Sequence, residues 1–250
     1  MVGSRICPLC NCARNTVFMK ENARNNRDHI QLLKCADCGF VFSKTVDVDY
    51  TDFGKSASKQ TKKELAEISK SQNIQRLVDE IISKTSVRQG KVLDFGCGVG
   101  LMLREFNRRG YDVLGVEEST AFRTMLAEND IPTTASLSDI KGLHNSFDIV
   151  IAKDVIEHLE YPLQVLNEVI SFLKPEGYLY VRVPNRFAYP FHWAVDTKGH
   201  VNHFTPAKLK KLIAGMGLKF VSSIRVYDIS SRAGRLYDFI FWKLRYFLPM

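Results

Sequence analysis

The sequence contains no run of 18 or more apolar residues, the length that a membrane-spanning helix requires. Its first residues, Met1 to Arg5, also lack the apolar core of a secretory signal peptide. The first of six cysteines follows at once, and without a secretion signal these thiols are expected to stay reduced. The absences favour a cytoplasmic protein. At 250 residues and 45% hydrophobic content, the chain can fold into one full α/β domain with a small appendage.

Acidic residues are scarce outside the middle of the chain. Residues 91–181 carry a net charge of −6, whereas residues 1–90 carry +5 and residues 182–250 carry +9. A basic excess of this kind is usually solvated surface, but it also suits an anionic partner such as a phosphate-bearing substrate, a nucleic acid or an acidic membrane. Composition leaves these alternatives open.

A glycine-rich turn follows the short apolar run at residues 92–95. The glycines stand at 96, 98 and 100, and a helix-like apolar pattern begins directly after them. Glu117 ends a second apolar run 17 residues beyond Gly100, where its carboxylate is placed to accept hydrogen bonds from a ribose diol. Asp94, two residues before the first glycine, would repel a pyrophosphate but would suit a ligand with an ammonium group. The pattern predicts a nucleoside-binding half-site.

Further signals follow in order along the chain. Phe147–Ala152 is predicted as a buried strand, the segment Lys174–Gly177 stops the next helix, and Tyr178–Asn185 is predicted as another strand. With the glycine turn, these motifs make residues 75 to 226 resemble the class I S-adenosylmethionine-dependent methyltransferases. They are most similar to a bacterial branch that modifies small molecules and cell-surface glycans. The resemblance implies an α/β fold with a Rossmann-like, seven-stranded mixed sheet and helices on both faces.

The same resemblance implies which residues contact S-adenosylmethionine. In the family, the loop glycines lie against the methionine part of the cofactor and the later acid holds the ribose. The cofactor-binding residues carried over to this sequence are Asp94, Gly96, Cys97, Gly98, Gly100, Glu117, Glu118, Ser136, Leu137, Ala152 and Lys153.

Two C-x2-C pairs lie near the N-terminus. The pairs are Cys7 with Cys10 and Cys35 with Cys38, separated by 24 residues. Two such turns complete a tetrahedral thiolate site, so residues 1–45 are predicted to form a zinc ribbon with a hairpin between the pairs. Two disulfides are the alternative and suit a secreted chain better. Cys12 is a spare thiol that could compete with Cys10.

Acids and histidines follow the strand at residues 147–152. Asp154, Glu157 and His158 lie where ligands of parallel sheets bind, and an i, i+3 spacing would place both carboxylates on one face of a helical turn. His200 and His203 occupy a later loop. Ubiquinone-pathway and small-RNA 2′-O-methyltransferases carry a similar acid–histidine motif that gathers a divalent cation, which implies Asp154, Glu157, His158 and His200 as ligands here. The metal-free alternative makes His200 or His203 a general base.

The remaining segments have less specific signals. Residues 46–72 are predicted as a linker or lid, residues 73–230 as the methyltransferase domain, and residues 231–250 as an aromatic and basic helix. That helix could contact an anionic membrane surface through residues 235–249, pack on the domain or form a dimer contact. An aromatic stretch at residues 186–193 could cover the acceptor pocket. The oligomeric state stays open.

Three functions follow from this sequence. The first is O-methylation of a hydroxyl on a carbohydrate or related small metabolite, including a lipid-linked glycan precursor. The second is ribose 2′-O-methylation of RNA, which the basic flanks and the ribbon favour. The third is a methyltransferase fold retained only as a zinc-dependent binding module, against which the intact glycine loop and Glu117 argue.

Overall fold

A computed structural model describes residues 5–22, 29–46, 72–184, 199–228 and 235–244. Most of the predicted linker and the aromatic stretch at residues 186–193 lie outside the described residues. No helix in the described part of the chain is both long enough and apolar enough to cross a membrane.

Eleven strands, five α-helices and one 3-10 helix make up these residues. The strands are β1 (Asn15–Asn22), β2 (His29–Cys35), β3 (Val41–Ser43), β4 (Lys91–Phe95), β5 (Asp112–Val116), β6 (Thr133–Thr134), β7 (Phe147–Lys153), β8 (Leu173–Pro184), β9 (Asn202–His203), β10 (Leu218–Asp228) and β11 (Arg235–Leu244). The helices are α1 (Gln72–Thr85), α2 (Leu101–Arg108), α3 (Thr120–Ala127), α4 (Pro162–Ser171) and α5 (Pro206–Ala214), with the 3-10 helix at Leu137–Leu143.

The main sheet has seven strands in the order β10-β11-β8-β7-β4-β5-β6. Neighbours from β8 to β6 run parallel, and β11 pairs antiparallel with both β8 and β10. Helices cover both faces of the parallel strands, so β7 is apolar on both sides and Ile149–Ala152 is fully buried. The predicted Rossmann-like mixed α/β fold is confirmed. In such a sheet the carboxyl ends of β4, β5 and β7 meet at one edge, where ligands bind.

The C-terminal segment departs from the prediction. Residues 231–250 were expected to form a helix, but Arg235–Leu244 forms strand β11 between β8 and β10. The helix prediction was wrong because the aromatic and apolar residues of this segment suit a strand as well as a helix, and two neighbouring strands offer its backbone hydrogen-bond partners on both sides. An interfacial membrane helix over these ten residues is replaced by a sheet strand.

A second, four-stranded sheet has the order β1-β2-β3-β9. The β1–β2 hairpin lies between the two cysteine pairs, as the sequence predicts. Strand β9, however, belongs to the C-terminal half of the chain. The ribbon also packs on the main domain, where the rings of Phe40 and Phe204 have centroids 5.0 Å apart. The N-terminal segment is therefore joined to the domain by both backbone pairing and apolar contact.

Candidate active site

The glycine loop between β4 and α2 has three left-handed residues. The φ angles of Gly96, Gly98 and Gly100 are 69°, 53° and 70°. A Cβ at position 96 would lie 2.5 Å from Val155 Cγ2, and one at position 100 would lie 2.4 Å from Leu126 Cδ2. A Cβ at position 98 would meet no atom within 4 Å. Packing therefore requires glycine at 96 and 100, whereas Gly98 faces open space that a ligand can approach closely.

Glu117 links this loop to the end of β5. Its Oε2 accepts a hydrogen bond from the backbone N–H of Gly98 at 2.8 Å, and its Oε1 accepts one from the N–H of Ser119, also at 2.8 Å. Each carboxylate oxygen retains a second lone pair. The side chain is thus held beside the loop and can still accept hydrogen bonds from a vicinal diol.

Asp94 ends β4 beneath the same loop and is 3% exposed. Burial raises the pKa of its carboxyl to about 7, the negative charge of Glu117 raises the pKa as well, and Lys153 lowers it. A cationic group placed beside Asp94 would favour its ionised form. The loop, the buried acid and the diol acceptor together fit S-adenosylmethionine, which carries an ammonium group and a ribose.

The other predicted cofactor residues lie on neighbouring strand ends. Cys97 and Glu118 follow β4 and β5, Ser136 and Leu137 open the 3-10 helix after β6, and Ala152 and Lys153 end β7. The strand order of the main sheet places these segments at the same edge.

Asp139 was missed by the sequence analysis. Its Oδ2 accepts hydrogen bonds from Thr134 Oγ1 at 2.7 Å and from the N–H of Ser136 at 2.9 Å, which sets the path of the loop after β6. The Ser-x-x-Asp spacing of a capping box was the signal that could have found it.

Glu157 is the most isolated polar group of the site. It is 2% exposed, and neither carboxylate oxygen has a hydrogen-bond partner among the residues that the structure describes. Burial first, and then the charge of Asp154, raise the pKa of this carboxyl well above its ordinary value. A buried carboxyl without a partner is costly, so its retention points to a ligand.

Two histidines flank Glu157. One ligand atom from each of Glu157, His158 and His200 lies within 4.8 Å of the others, and the two imidazole centroids are 4.6 Å apart. The Nδ1 of His158 is 2.7 Å from the carbonyl oxygen of Gly199, which can only accept, so Nδ1 carries the proton. The Nε2 of His158 then faces Glu157 Oε1 at 4.0 Å. Burial lowers the pKa of His158.

Asp154 does not belong to this cluster. Its φ of 56° is left-handed, so the helical turn that would place Asp154 and Glu157 on one face does not form. Its Oδ2 accepts a hydrogen bond from Lys153 Nζ at 3.0 Å, and its Oδ1 lies 3.0 Å from Arg182 Nε. These two cations balance the charge of Asp154 instead of leaving its carboxylate for a metal.

The segment at residues 199–203 is fastened over the turn that carries Glu157. The N–H groups of Val201 and Asn202 both donate to the carbonyl oxygen of Glu157 at 2.9 Å. The buried amide Nδ2 of Asn202 donates to the carbonyl oxygen of Leu159 at 2.6 Å. His203, 4% exposed in β9, lies outside the three-residue cluster. The sequence analysis missed Asn202, which holds His200 in place.

The four predicted cysteine ligands lie together in the ribbon. The Sγ atoms of Cys7 and Cys38 are 3.6 Å apart, those of Cys10 and Cys35 are 3.5 Å apart, and all four lie within 4.8 Å. A tetrahedron with Zn–S bonds of ~2.3 Å has edges of ~3.8 Å, whereas a disulfide bond is ~2.0 Å long. The four thiols therefore fit a tetrathiolate metal site. Cys12 lies outside it and accepts a hydrogen bond from the N–H of Arg14.

Comparison with known proteins agrees with this geometry. A methyltransferase-domain family model matches residues 62–223. A ubiquinone biosynthesis O-methyltransferase of Rhodopseudomonas palustris strain HaA2 is 29% identical over 146 residues, covering 51% of this chain and 58% of that protein. The corresponding enzyme of Rickettsia canadensis is 23% identical over 199 residues, covering 70% of this chain and 82% of that protein. The chain spans about three fifths of the length of the first of these relatives.

A solved structure shares the fold. The 1,6-didemethyltoxoflavin-N1-methyltransferase of Burkholderia thailandensis was solved with 1,6-didemethyltoxoflavin and S-adenosylhomocysteine bound. It superposes with a TM-score of 0.59 at 19% identity, over 84% of this chain and 98% of that chain. The family match covers well over half of the sequence, and the glycine loop with Asp94 and Glu117 lies within it. The chain therefore belongs to the class I S-adenosylmethionine-dependent methyltransferases.

Proposed function

We propose that this protein transfers a methyl group from S-adenosylmethionine to a hydroxyl of a carbohydrate or related small metabolite, including a lipid-linked glycan precursor. The observation that carries the proposal is the buried carboxyl of Glu157, which lies beside His158 and His200 and has no hydrogen-bond partner among the described residues. Hydroxyl chemistry needs a proton acceptor, and this cluster supplies two imidazoles at the carboxyl edge of the sheet, with the Glu157 carboxyl beside them. The relatives named ubiquinone biosynthesis O-methyltransferases support oxygen as the acceptor atom.

The two halves of the site have different tasks. Asp94, Glu117 and the glycine loop would hold the cofactor, which supplies an electrophilic methyl group on its sulfonium. The cluster at Glu157 would orient the acceptor hydroxyl and take its proton. The pKa of Glu157 is raised and the pKa of His158 is lowered, so both shifts favour the uncharged forms. A neutral imidazole can accept a proton at its Nε2 at neutral pH.

A second candidate mechanism uses a divalent cation, bound by the same cluster, to activate the acceptor hydroxyl. Glu157, His158 and His200 would supply one carboxylate and two imidazole ligands, a donor set that suits a transition metal or zinc. Bound there, the cation would lower the pKa of a coordinated hydroxyl. Asp154, which the family resemblance adds to the ligand set, is engaged by Lys153 and Arg182 and is left out of our proposal.

Methyl transfer is tested by incubating the protein with methyl-labelled cofactor and candidate acceptors, followed by mass spectrometry. We expect Glu157→Gln to lower kcat by about 10²-fold or more because it removes the acid that lies beside the two imidazoles, or a metal ligand in the cation-assisted mechanism. Its affinity for S-adenosylhomocysteine should stay unchanged. The matched control is Glu160→Gln, an exposed acid in the same turn. Wild-type turnover by Glu157→Gln would contradict the proposed role of the cluster.

The dependence of turnover on metal distinguishes base catalysis from the cation-assisted mechanism. Turnover that survives removal of all labile divalent cations, while the cysteine site keeps its metal, would contradict the cation-assisted mechanism and leave base catalysis. Turnover that is lost on cation removal and returns with an added divalent cation would support the cation-assisted mechanism. The absence of any affinity for S-adenosylhomocysteine would instead indicate the non-catalytic binding module.

RNA is the second candidate acceptor. The basic excess of residues 1–90 and 182–250 favours it, since Lys and Arg side chains can neutralise phosphates. This version predicts RNA binding that weakens steeply with added salt. Methylation of a carbohydrate or small-metabolite acceptor without measurable RNA affinity at low salt would contradict it.

We further propose that Cys7, Cys10, Cys35 and Cys38 bind structural zinc. The Sγ separations of 3.5 and 3.6 Å support this assignment. Metal analysis should find a single cysteine-bound zinc ion per chain. Cys35→Ser should lose that zinc, whereas Cys12→Ser should retain it because Cys12 lies outside the cluster. Retention of zinc by Cys35→Ser would contradict the ligand set.

A further inference from the structure

The ribbon contains a strand from the active-site loop. Strand β9 pairs antiparallel with β3, with Val41 opposite His203 and Phe42 opposite Asn202. The N–H of Ser43 donates to the carbonyl oxygen of Val201 at 2.9 Å, one residue beyond His200. The hydroxyl of Ser43 adds a 3.4 Å contact to the carbonyl oxygen of His200 itself. The backbone that presents His200 is thus continuous with the ribbon sheet.

Arg5 joins three segments at one point. Its Nη1 donates to the carbonyl oxygens of Ser43 at 3.0 Å and Val201 at 3.4 Å, and its Nη2 donates to that of Glu160 at 2.8 Å. These acceptors belong to the ribbon, to the His200 segment and to the turn that carries Glu157 and His158. The guanidinium also lies 5.4 Å from the centroid of the Phe42 ring. A guanidinium presents five donors in a rigid planar fork, which suits three carbonyls in different directions better than the compact ammonium of lysine does.

Arg5 lies two residues before Cys7, so its backbone is close in the chain to the cysteine site. The second cysteine pair is tied to the domain as well, because Lys208 Nζ of α5 donates to the carbonyl oxygen of Cys38. A metal at the four thiolates would fix both ribbon turns relative to each other. The geometry of the ribbon and the geometry of the His200 segment therefore depend on each other.

We propose that the cysteine-rich ribbon is a positioning element for the acceptor half of the active site, acting through Arg5 and the β3–β9 pair. This inference rests on the proposed function, in which His200 and His158 serve the acceptor. Arg5 is a positioning residue and touches neither substrate nor cofactor. In the described residues, the hydrogen bonds of the cofactor loop go to β5, to Glu117, to α2 and within the loop itself, so cofactor binding is expected to be independent of the ribbon.

The test uses the full, zinc-loaded chain labelled with ¹⁵N in its histidine rings. The chain has only six histidines, so each ring signal can be assigned by His→Gln substitution. His144 is an internal control, because its Nδ1 pairs with Ser171 and its ring stacks on Phe172, both outside the ribbon. Arg5→Ala is the variant, and Arg5→Lys is the conservative variant that should restore part of the effect.

In Arg5→Ala we expect the His158 and His200 ring signals to shift while the His144 signal stays in place. Zinc content should be unchanged, and the Kd for S-adenosylhomocysteine should stay within about two-fold. The KM for the acceptor should rise or kcat fall by about 10-fold or more, since small displacements of reacting groups are costly. Removal of zinc with a chelator should shift the same two signals.

Unchanged His158 and His200 signals, both in Arg5→Ala and after zinc removal, would overturn the inference. A shift of the His144 signal together with the others would indicate general unfolding and would also count against it. The histidine signals report on the coupling without any turnover. A wild-type chain that binds no S-adenosylhomocysteine would therefore refute the proposed function separately, and a chain that binds it normally but shows no histidine shift would refute only the coupling.

Discussion

Two buried carboxyls lie near the carboxyl ends of adjacent parallel strands, Asp94 in the last residues of β4 and Glu157 in the turn after β7. Both have raised pKa values because burial disfavours their charged forms. Such groups reduce the stability of the fold at neutral pH and tend to be kept where they bind ligands or move protons. In the proposed function Asp94 serves the cofactor and Glu157 serves the acceptor, so substitutions at these two residues should affect cofactor binding and turnover separately.

Cofactor affinity should depend on the ionisation of Asp94. With a pKa of about 7, this carboxyl is protonated below neutrality and cannot pair with the ammonium of the ligand. Binding then requires loss of a proton, so the affinity for S-adenosylhomocysteine should be about ten-fold weaker at pH 6 than at pH 8. Calorimetry between pH 6 and pH 8 measures how the affinity changes with pH.

Asp94→Asn should bind S-adenosylhomocysteine weakly at every pH, and its affinity should no longer change between pH 6 and pH 8. It should not lower Tm at pH 8, because a folded-state pKa above the unfolded value of ~3.9 means that ionisation destabilises the folded chain there. The matched control is Asp112→Asn, an exposed acid at the opposite end of β5, which should keep the pH dependence of the affinity. A wild-type affinity that is flat between pH 6 and pH 8 would contradict the assignment.

The loop glycines should respond differently to alanine. Gly98→Ala should lower cofactor affinity by about 10-fold or more with only ~1–2 kcal/mol lost from the free energy of unfolding, because its methyl enters open space at a left-handed φ. Gly100→Ala should lose more stability because its methyl meets Leu126. Denaturant unfolding and calorimetry measure both quantities. Full cofactor affinity in Gly98→Ala would show that the ligand lies elsewhere.

At the scale of elements, β11 is the strand on which the C-terminal half of the sheet depends. It pairs with β8 on one side and β10 on the other, so its removal leaves both with unpaired backbone groups. A chain ending at Asp228 should aggregate or unfold at a much lower temperature than the full chain. A chain ending at Leu244 retains β11 and is the control. A folded, monomeric chain ending at Asp228 would contradict the sheet order.

At the scale of the molecule, a ligand that binds only the folded chain should stabilise the whole fold. The cofactor site proposed at the carboxyl edge of the main sheet should therefore couple ligand binding to stability. S-adenosylhomocysteine at 100 times its Kd should add ~2.7 kcal/mol to the free energy of unfolding, which corresponds to a rise of about 5–10 °C in Tm. Gly98→Ala, with its affinity about 10-fold weaker, should lose about half of this shift or more at the same ligand concentration. A wild-type Tm that does not move with the ligand would contradict cofactor binding at this edge.

The sequence by itself determined the local elements and the chemistry near each. Val92–Phe95, the glycine turn and Glu117 predicted a strand, a turn and an acid in the correct order because each depends on residues close in the chain. The C-x2-C pairs predicted four cysteines close together around a hairpin, and the structure has that arrangement, while the zinc stays a prediction. The strand at Arg235–Leu244 was missed because its aromatic and apolar residues suit either a strand or an amphipathic helix, and only the unpaired edges of β8 and β10 decide between them.

Tertiary structure alone decided how the acceptor side is assembled. Asp154 and Glu157 are three residues apart, yet a left-handed φ at Asp154 sends one carboxylate to Lys153 and Arg182 and leaves the other unpartnered. Arg5 and Val201 are 196 residues apart and meet through a backbone carbonyl, which has no signature in the sequence. Spacing predicts contacts within a strand, turn or helix, whereas contacts between distant segments depend on how complete elements pack against one another.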